Sequence, residues 1–274
     1  IHLAESAGGI ASKVAKMQSA CPHATGAVLC FVDDDVALRP DGLAQFVTYL
    51  QPAGTGAVFG LACYTNWRNV PSSLLSGFVN ANALLSYIPL TYLTEPYTIT
   101  GHLFALRRRN FDAVGGLHGL ADAERIDDDH ELARRVRRAG LRCVQTPVIY
   151  DVHNDLAAFP DYANQMNRWF IIPKQTMVPQ LTPYEQFVSL AGSLGNLLLP
   201  LLAVLTLVTR SRRALANLAG GTALFAAVYA LSERRWLQRR TPLRRWPWVI
   251  GVAFLAPLQA LAALAGGDTF TWRG

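Results

Sequence analysis

A doubly wound α/β domain followed by C-terminal transmembrane helices is the architecture the sequence predicts, on three observations. The unbroken apolar run Ala27 to Val32 ends in Asp33-Asp34-Asp35. Such a run reads as a strand buried on both faces, and acids at its carboxyl end lie where open α/β sheets bind ligands. Strand-like and helix-like segments then alternate up to about Trp169, as layered α/β domains require. Last, Val188 to Val208, Ala214 to Leu231 and Pro247 to Ala265 contain no Asp, Glu, Lys or Arg, and each approaches the ~20 residues that cross a bilayer.

Taken in order, Ile10 to Ser19 has helix character and stops before Cys21-Pro22. The strand Ala27 to Val32 follows, and after the acids Pro40-Asp41-Gly42 opens a helix with Leu43, Phe46, Val47 and Leu50 on one face. Gly54 and Gly56 turn the chain into a second apolar strand, Ala57 to Cys63. Ser72 to Leu85 reads as helix, Tyr97 to Leu106 as a strand interrupted by Gly101, and a short helix from Asn110 should end at Gly115-Gly116. Asp127-Asp128-Asp129 precedes Leu132, Val136 and Ala139 at helical spacing, with Gly140 closing the element. In the first apolar tail segment, Leu194, Leu197, Leu198, Leu199, Leu201 and Leu202 leave no polar face. The middle segment is the weakest span, being short and carrying Asn217, Gly220, Gly221 and Thr222; a buried core helix is its competing reading. The organisation expected is a catalytic-type domain over 1–170, an interfacial linker over 171–186 and a membrane domain over 187–274.

Of 274 residues 51% are hydrophobic and 16% charged, enough apolar sequence for a full domain core with a surplus that sits at the end. The net charge of +6 is unevenly placed. Arg234, Arg235, Arg239, Arg240, Arg244 and Arg245 crowd the second tail loop, and Arg210, Arg212 and Arg213 the first. The richer loop is expected on the cytoplasmic side, which puts the preceding domain there too, in a multi-pass membrane protein. The collar also suits anionic headgroups, whereas nucleic acid is excluded as a partner because the arginines flank apolar spans with no interleaved stacking aromatics. Cys21, Cys30, Cys63 and Cys143 lack C-x-x-C spacing and read as small core residues, not as a zinc site.

Both acid clusters admit two accounts. Asp127 to Asp129 at a helix start, with Arg134, Arg135, Arg137 and Arg138 towards its end, suit capping and the helix dipole. One Asp suffices for a cap, however, and three adjacent carboxylates repel unless a cation or substrate uses them. Asp33 to Asp35 likewise exceed the single Asp a turn needs. If the clusters converge at one sheet edge, one can hold a divalent cation through hard oxygen ligands and the other can act as general base. Sugar transfer from a nucleotide diphosphate needs both tasks: charge neutralised on the leaving diphosphate and a proton taken from the attacking hydroxyl. A third element, Gln165-Met166-Asn167-Arg168-Trp169, offers a phosphate-binding Arg and a flat Trp face. On this motif alone an interfacial helix anchored by Trp169 and Phe170, with Arg168 reaching into headgroups, is the favoured account.

Together these residues resemble the processive and lipid-modifying glycosyltransferases of the A-type fold, in the large family 2 group, and most closely the ceramide glucosyltransferase-like branch. That pattern is a D-x-D after a strand, a later D-D or E-D pair opening a helix, and Q-x-x-R-W ahead of the C-terminal spans. Here Asp33-Asp34-Asp35, Asp128-Asp129 and Gln165 to Trp169 occur in that order. Lys13 to Met17 is similar to the K-V-N-N-L segment, and Thr100-Gly101-His102, Arg107 and Gly115-Gly116 to the stretch near the acceptor. The resemblance implies a nucleotide-diphospho-sugar transferase domain that moves a sugar, from a UDP-linked donor by inversion, to a lipid acceptor at the membrane. It implies that Asp33 and Asp35 bind the metal, Mg2+ or Mn2+, and the donor diphosphate. Asp129 would be the catalytic base, Gln165, Arg168 and Trp169 donor-binding, and Gly101, His102 and Asp128 acceptor-side. It also implies a first strand and a uracil-binding Asp upstream of Ile1, hence an N-terminally truncated chain. A polysaccharide synthase, a catalytically silent membrane scaffold and a phosphohydrolase are the alternatives.

Overall fold

A computed structural model describes residues 12–120 and 127–266. In chain order the elements are α1 (Ser12–Ala20), β1 (Val28–Val32), β2 (Val36–Leu38), α2 (Gly42–Tyr49), β3 (Thr55–Tyr64), α3 (Val70–Asn82) and α4 (Ile88–Leu90). They continue with β4 (Leu103–Arg107), α5 (Arg108–Ala113), α6 (Asp128–Arg138), β5 (Arg142–Val152), α7 (Phe159–Ile172), α8 (Pro183–Gly195), α9 (Leu198–Thr209), α10 (Arg212–Ser232) and α11 (Trp246–Ala265). Two units divide the chain, Ile1–Leu61 with Glu95–Asp151, and Ala62–Thr94 with Val152–Gly274.

The first unit is mixed α/β. Among the described residues its five strands lie in the order β1-β4-β3-β5-β2. β4 runs antiparallel to β1 and to β3, so β1 and β3 point the same way with β4 threaded between them. The register sets Phe104 opposite Phe31 on one side and Phe59 on the other, and the Phe31 and Phe104 rings stack at 4.7 Å. Aromatic cross-strand pairs of this kind stabilise a sheet by about 0.2–1 kcal/mol each. α1 and α6 cover this face through Val14, Leu132, Ala133 and Val136, which join Leu29, Ala57, Phe104 and Leu106 in one core. Two glycines of β3 permit the close fit: a Cβ on Gly56 would lie 2.4 Å from a Val136 methyl, and one on Gly60 would lie 2.7 Å from the Val148 carbonyl. β3 therefore fixes both α6 and the end of β5.

Several expectations need correction here. β1 is buried on neither face throughout; it pairs only with β4 among the described residues, and Val32 is 46% exposed. Its apolar run is met on one side by α1 and by Phe111, not by a second strand. The strand expected over Tyr97 to Leu106 starts only at Leu103, because the backbone before it turns at Gly101 and His102. In α2, Phe46 and Leu50 are buried at i,i+4 whereas Leu43 and Val47 face outwards. In α6, Ala133 takes the buried place expected of Ala139, which is the exposed C-cap ahead of Gly140 at φ +73°. The helix expected over Ile10 to Ser19 is α1, and its first two positions fall outside the described residues.

The second unit is helical. α3 runs on through a wide π turn, Ala83–Tyr87, into α4, where Pro89, which has no N–H to donate, sits at the second position. α11 packs against α3 and α7. Gly77 of α3 makes this close, since a Cβ there would sit 3.4 Å from the Val249 Cα. Phe78 lies between Trp169 and Phe170 of α7, with centroids at 6.2 and 5.9 Å. Tyr162 donates to Gln259 at 3.0 Å and Lys174 to the Leu264 carbonyl at 3.3 Å.

Among the described residues two helices are long and apolar enough to cross a membrane, Arg212–Leu237 and Leu243–Ala265. The third expected span is bent: α8 and α9 meet at 42°, and only if they act as one broken span does the number reach three. Composition misleads here in both directions. The middle segment, weakest in sequence, is an unbroken helix. The leucine-rich first segment breaks where Gly195 and Asn196 end α8 and Pro200 fits only the first turn of a new helix.

Candidate active site

The site grows out of the β1–β4 ladder. Beyond Val32 the pairing continues for one step, the Asp33 amide donating to the His102 carbonyl at 2.9 Å. The chain then turns back, with Val36 N donating to Asp33 O at 3.2 Å, so Asp33, Asp34 and Asp35 occupy one tight turn. Across the ladder the backbone turns at Gly101, and the reason for glycine is steric. A Cβ at Gly101 would lie 3.2 Å from the Asp129 Oδ2, tighter than ordinary contact, so Gly101 lets the first turn of α6 come up against the end of β4.

Lys13 of α1 joins the two acid clusters. Its Nζ is 2.7 Å from Asp33 Oδ1 and donates to the Gly101 carbonyl at 3.2 Å. Burial alone would lower the pKa of this ammonium; the charges of Asp128, Asp33 and Asp129, with the Asp33 hydrogen bond, outweigh it and hold the pKa above the usual lysine value. On the other wall, Thr100 and Tyr150 hydroxyls share a hydrogen bond of 3.2 Å, and the Tyr150 ring lies 6.4 Å from that of His102.

The carboxylates are held in an unusual state. Asp128 is buried, its pKa raised chiefly by that burial and further by Asp33 and Asp127 against the opposing Lys13; its Oδ2 has no hydrogen-bond partner among the described residues. Asp129 Oδ1 accepts from the His130 amide at 2.8 Å. Burial and then the neighbouring Asp128 push the Asp129 pKa up to about 7. Burial likewise raises Asp35, with Asp33 and Asp34 adding to it and His102 opposing. The His102 imidazole is shifted down by burial and by Lys13, against Asp33 and Asp35. The capping account of Asp127–Asp129 is weak in this geometry, since N-cap Asp127 makes no side-chain cap hydrogen bond. A carboxylate with a pKa near 7 is matched to taking a proton at neutral pH.

Among the described residues no three His, Cys, Asp or Glu side chains converge on a point that would hold a metal ion. Asp33 and Asp35 lie on one turn, and Asp33 Oδ1 is held by the Lys13 ammonium at 2.7 Å. The four cysteines are free, Cys63 and Cys143 fully buried and Cys21 and Cys30 half-buried, as small core residues should be.

Of the sequence candidates, Asp33, Asp35, Gly101, His102, Asp128 and Asp129 thus come together in the first unit. Gln165, Arg168 and Trp169 lie on α7 in the second. There Arg168 donates to Gln165 Oε1 at 2.6 Å, one turn away, and Trp169 stacks on Phe78. Two participants had no assigned role in the sequence reading. Lys13 was visible as a lysine beside Val14 and Met17 on a half-apolar helix, but its partners are 20 and 88 positions away. Tyr150 carried no local signal.

The first unit is thus an α/β domain with paired carboxylates and a lysine gathered beside the β1–β4 ladder. The chain matches the family model of glycosyl transferase family 21 over residues 1–274 and belongs to that family. It is therefore a glycosyltransferase, of a ceramide glucosyltransferase-like family with a GT-A-like domain, and uses a nucleotide-sugar donor and an acceptor. No curated protein matches the chain.

Proposed function

We propose that this chain is an inverting glycosyltransferase that moves a sugar from a UDP-linked donor to a lipid hydroxyl at the cytoplasmic face of the membrane. The observation that carries the reading is the meeting of the Asp33–Asp35 turn with Asp128 and Asp129 around Lys13. On this reading the first unit is the doubly wound A-type transferase domain, and the apolar helices hold it at the surface from which the acceptor comes. The arginines of the α10–α11 loop favour the cytoplasmic side.

Asp129 acts as general base, accepting the proton of the acceptor hydroxyl as its oxygen attacks the anomeric carbon opposite the leaving diphosphate; attack from that face inverts the centre. Asp128 lies beside it, and its charge raises the proton affinity of Asp129. Asp33 and Asp35 would hold a Mg2+ or Mn2+ ion, which neutralises charge on the departing diphosphate when bound. Lys13 supplies a fixed positive charge next to Asp33. The donor contacts implied for Gln165, Arg168 and Trp169 belong to the same proposal.

The test is sugar transfer by the membrane-reconstituted chain from UDP-sugars to a panel of lipid alcohols, with Asp129→Asn and Asp33→Ala in parallel. Transfer that survives both substitutions would sink the assignment, and a polymeric product would move it to a polysaccharide synthase.

A further inference from the structure

Val70 to Thr94 is a run without a single Asp, Glu, Lys or Arg, bounded by Arg68 and Glu95. It forms one continuous helical rod through α3, the π turn and α4, against the candidate span α11. Ser72, Ser73, Ser76 and Asn80 of α3 are buried. Asn80 pairs with both backbone groups of Tyr64, at 2.8 and 3.0 Å, and Ser76 donates to the Asn66 carbonyl at 2.7 Å. Thr91 bonds back to the Ile88 carbonyl at 2.7 Å. The far end is the reverse. Tyr92 is 78% exposed, Leu93 57% and Tyr87 44%, and next to them Tyr184 and Phe187 of α8 are 57% and 66% exposed. The Tyr184 hydroxyl donates to the Leu93 carbonyl at 3.0 Å, which joins the tip of the rod to α8 and gives a partner to a backbone carbonyl at the tip.

We propose that this tip is a further membrane-contacting element: Tyr87, Tyr92 and Leu93, with Tyr184 and Phe187, dock into the phospholipid bilayer at headgroup depth. The inference rests on reading α10 and α11 as spans. Its occupant follows from continuity and chemistry. The rod lies along α11, and α8 is followed after a 42° bend by α9, whose Leu201, Val204, Leu207 and Val208 are also exposed. Tyrosines with leucine and phenylalanine, free of charge, match the aromatic belt at a lipid–water boundary, where ring bodies enter apolar surroundings and hydroxyls stay hydrated. A backbone tip entering that layer needs its carbonyls satisfied, which the Tyr184 bond provides for Leu93.

The experiment uses the full chain in phosphatidylcholine vesicles that carry a photoactivatable diazirine in the acyl chain near the headgroup, with adducts mapped by mass spectrometry. The peptide holding residues 87–93 should be labelled within about threefold of the α10 and α11 peptides, as a belt at the same boundary requires. Tyr92→Glu with Leu93→Glu should abolish that label and leave the α10 and α11 adducts unchanged. Labelled spans with an unlabelled tip overturn the proposal, whether water or a second copy, seen as a dimer mass in detergent, covers it. A label that persists in the double variant overturns it too. Absence of adducts on α10 and α11 would instead fail the span reading beneath it.

Discussion

The two units break the usual division between inside and outside in opposite ways. The first buries charge: Asp127, Asp128 and Glu131 are almost inaccessible, and Asp129 is pushed towards neutrality. The second exposes apolar surface: Leu198, Leu201, Leu207, Leu224 and Leu261 stand open along α9 to α11. Burying a carboxylate costs free energy, and so does exposing a leucine stripe to water. Within the first unit Arg134 and Arg135 offset part of that cost at Glu131 and Lys13 at Asp33, whereas the leucines of the second unit lie on helices whose length and composition suit a membrane. The contrast thus separates a site organised for chemistry from a surface organised for a solvent.

The strongest way to break the contrast is to remove the charge from the first unit. Asp129→Asn keeps shape and loses the proton acceptor, so sugar transfer should fall by about 10²–10⁴-fold, the range typical of a lost general base. Stability should move the other way. A carboxylate whose folded pKa lies above its unfolded value stabilises the fold below about pH 4, and that contribution is lost as pH rises towards about 7. The Asn variant, neutral throughout, should therefore lose less thermal stability than the parent between pH 5 and pH 8, followed by calorimetry.

For the second unit the matched test is a charge placed on exposed leucine. Leu224, near the middle of Arg212–Leu237 and 65% exposed, and Leu43 of α2, 50% exposed, are equivalent by accessibility. Leu224→Arg should cost about 2.5–3.5 kcal/mol of membrane insertion, as for an arginine at the centre of a span. Leu43→Arg should change unfolding by no more than about 0.5 kcal/mol, as a surface substitution does. Glycosylation-mapped insertion measures the first and denaturant unfolding the second; equal small effects would show that α10 faces water.

A smaller effect sharpens the acid side. With Asp129 as base at a pKa of about 7, kcat/KM should rise about tenfold per pH unit below that value and level off above it. A profile flat from pH 5 to 8 would remove Asp129 from the proton transfer.

How much of this was legible in sequence follows the range of the interactions. The acid turn, α6 and the apolar tail segments were visible because turn residues, helical spacing and charge-free runs are local signals. That Asp33 meets Asp129 was not, since it depends on Gly101 leaving room and on Lys13 bridging, contacts made between residues far apart in the chain. β1 shows the reverse error. An apolar hexapeptide cannot distinguish a central strand from an edge strand covered on one side by α1 and Phe111. The bend between α8 and α9 escaped a hydropathy reading because Gly195, Asn196 and Pro200 act on backbone geometry and not on polarity.

The least effect is expected where charge is open to water, and one ion pair from each unit sets the range. Arg39 and Asp151 in the first meet at 2.8 Å with side chains 19% and 16% exposed; Arg68 and Asp155 in the second stand 3.9 Å apart, 75% and 56% exposed. Water screens the second pair, and Asp155 already accepts from Asn66 Nδ2 at 3.0 Å, so its carboxylate keeps a partner without the arginine. Arg68→Ala should cost about 0.2–1 kcal/mol, in the range of exposed pairs, and raising salt should erase even that. Arg39→Ala should cost more and keep its cost in salt, because Asp151 would retain its charge in a drier setting next to β2. Denaturant titrations at low and high salt compare the two, and an Arg68 effect as large and as salt-resistant as that of Arg39 would mean that residue is far less open to water than its exposure indicates.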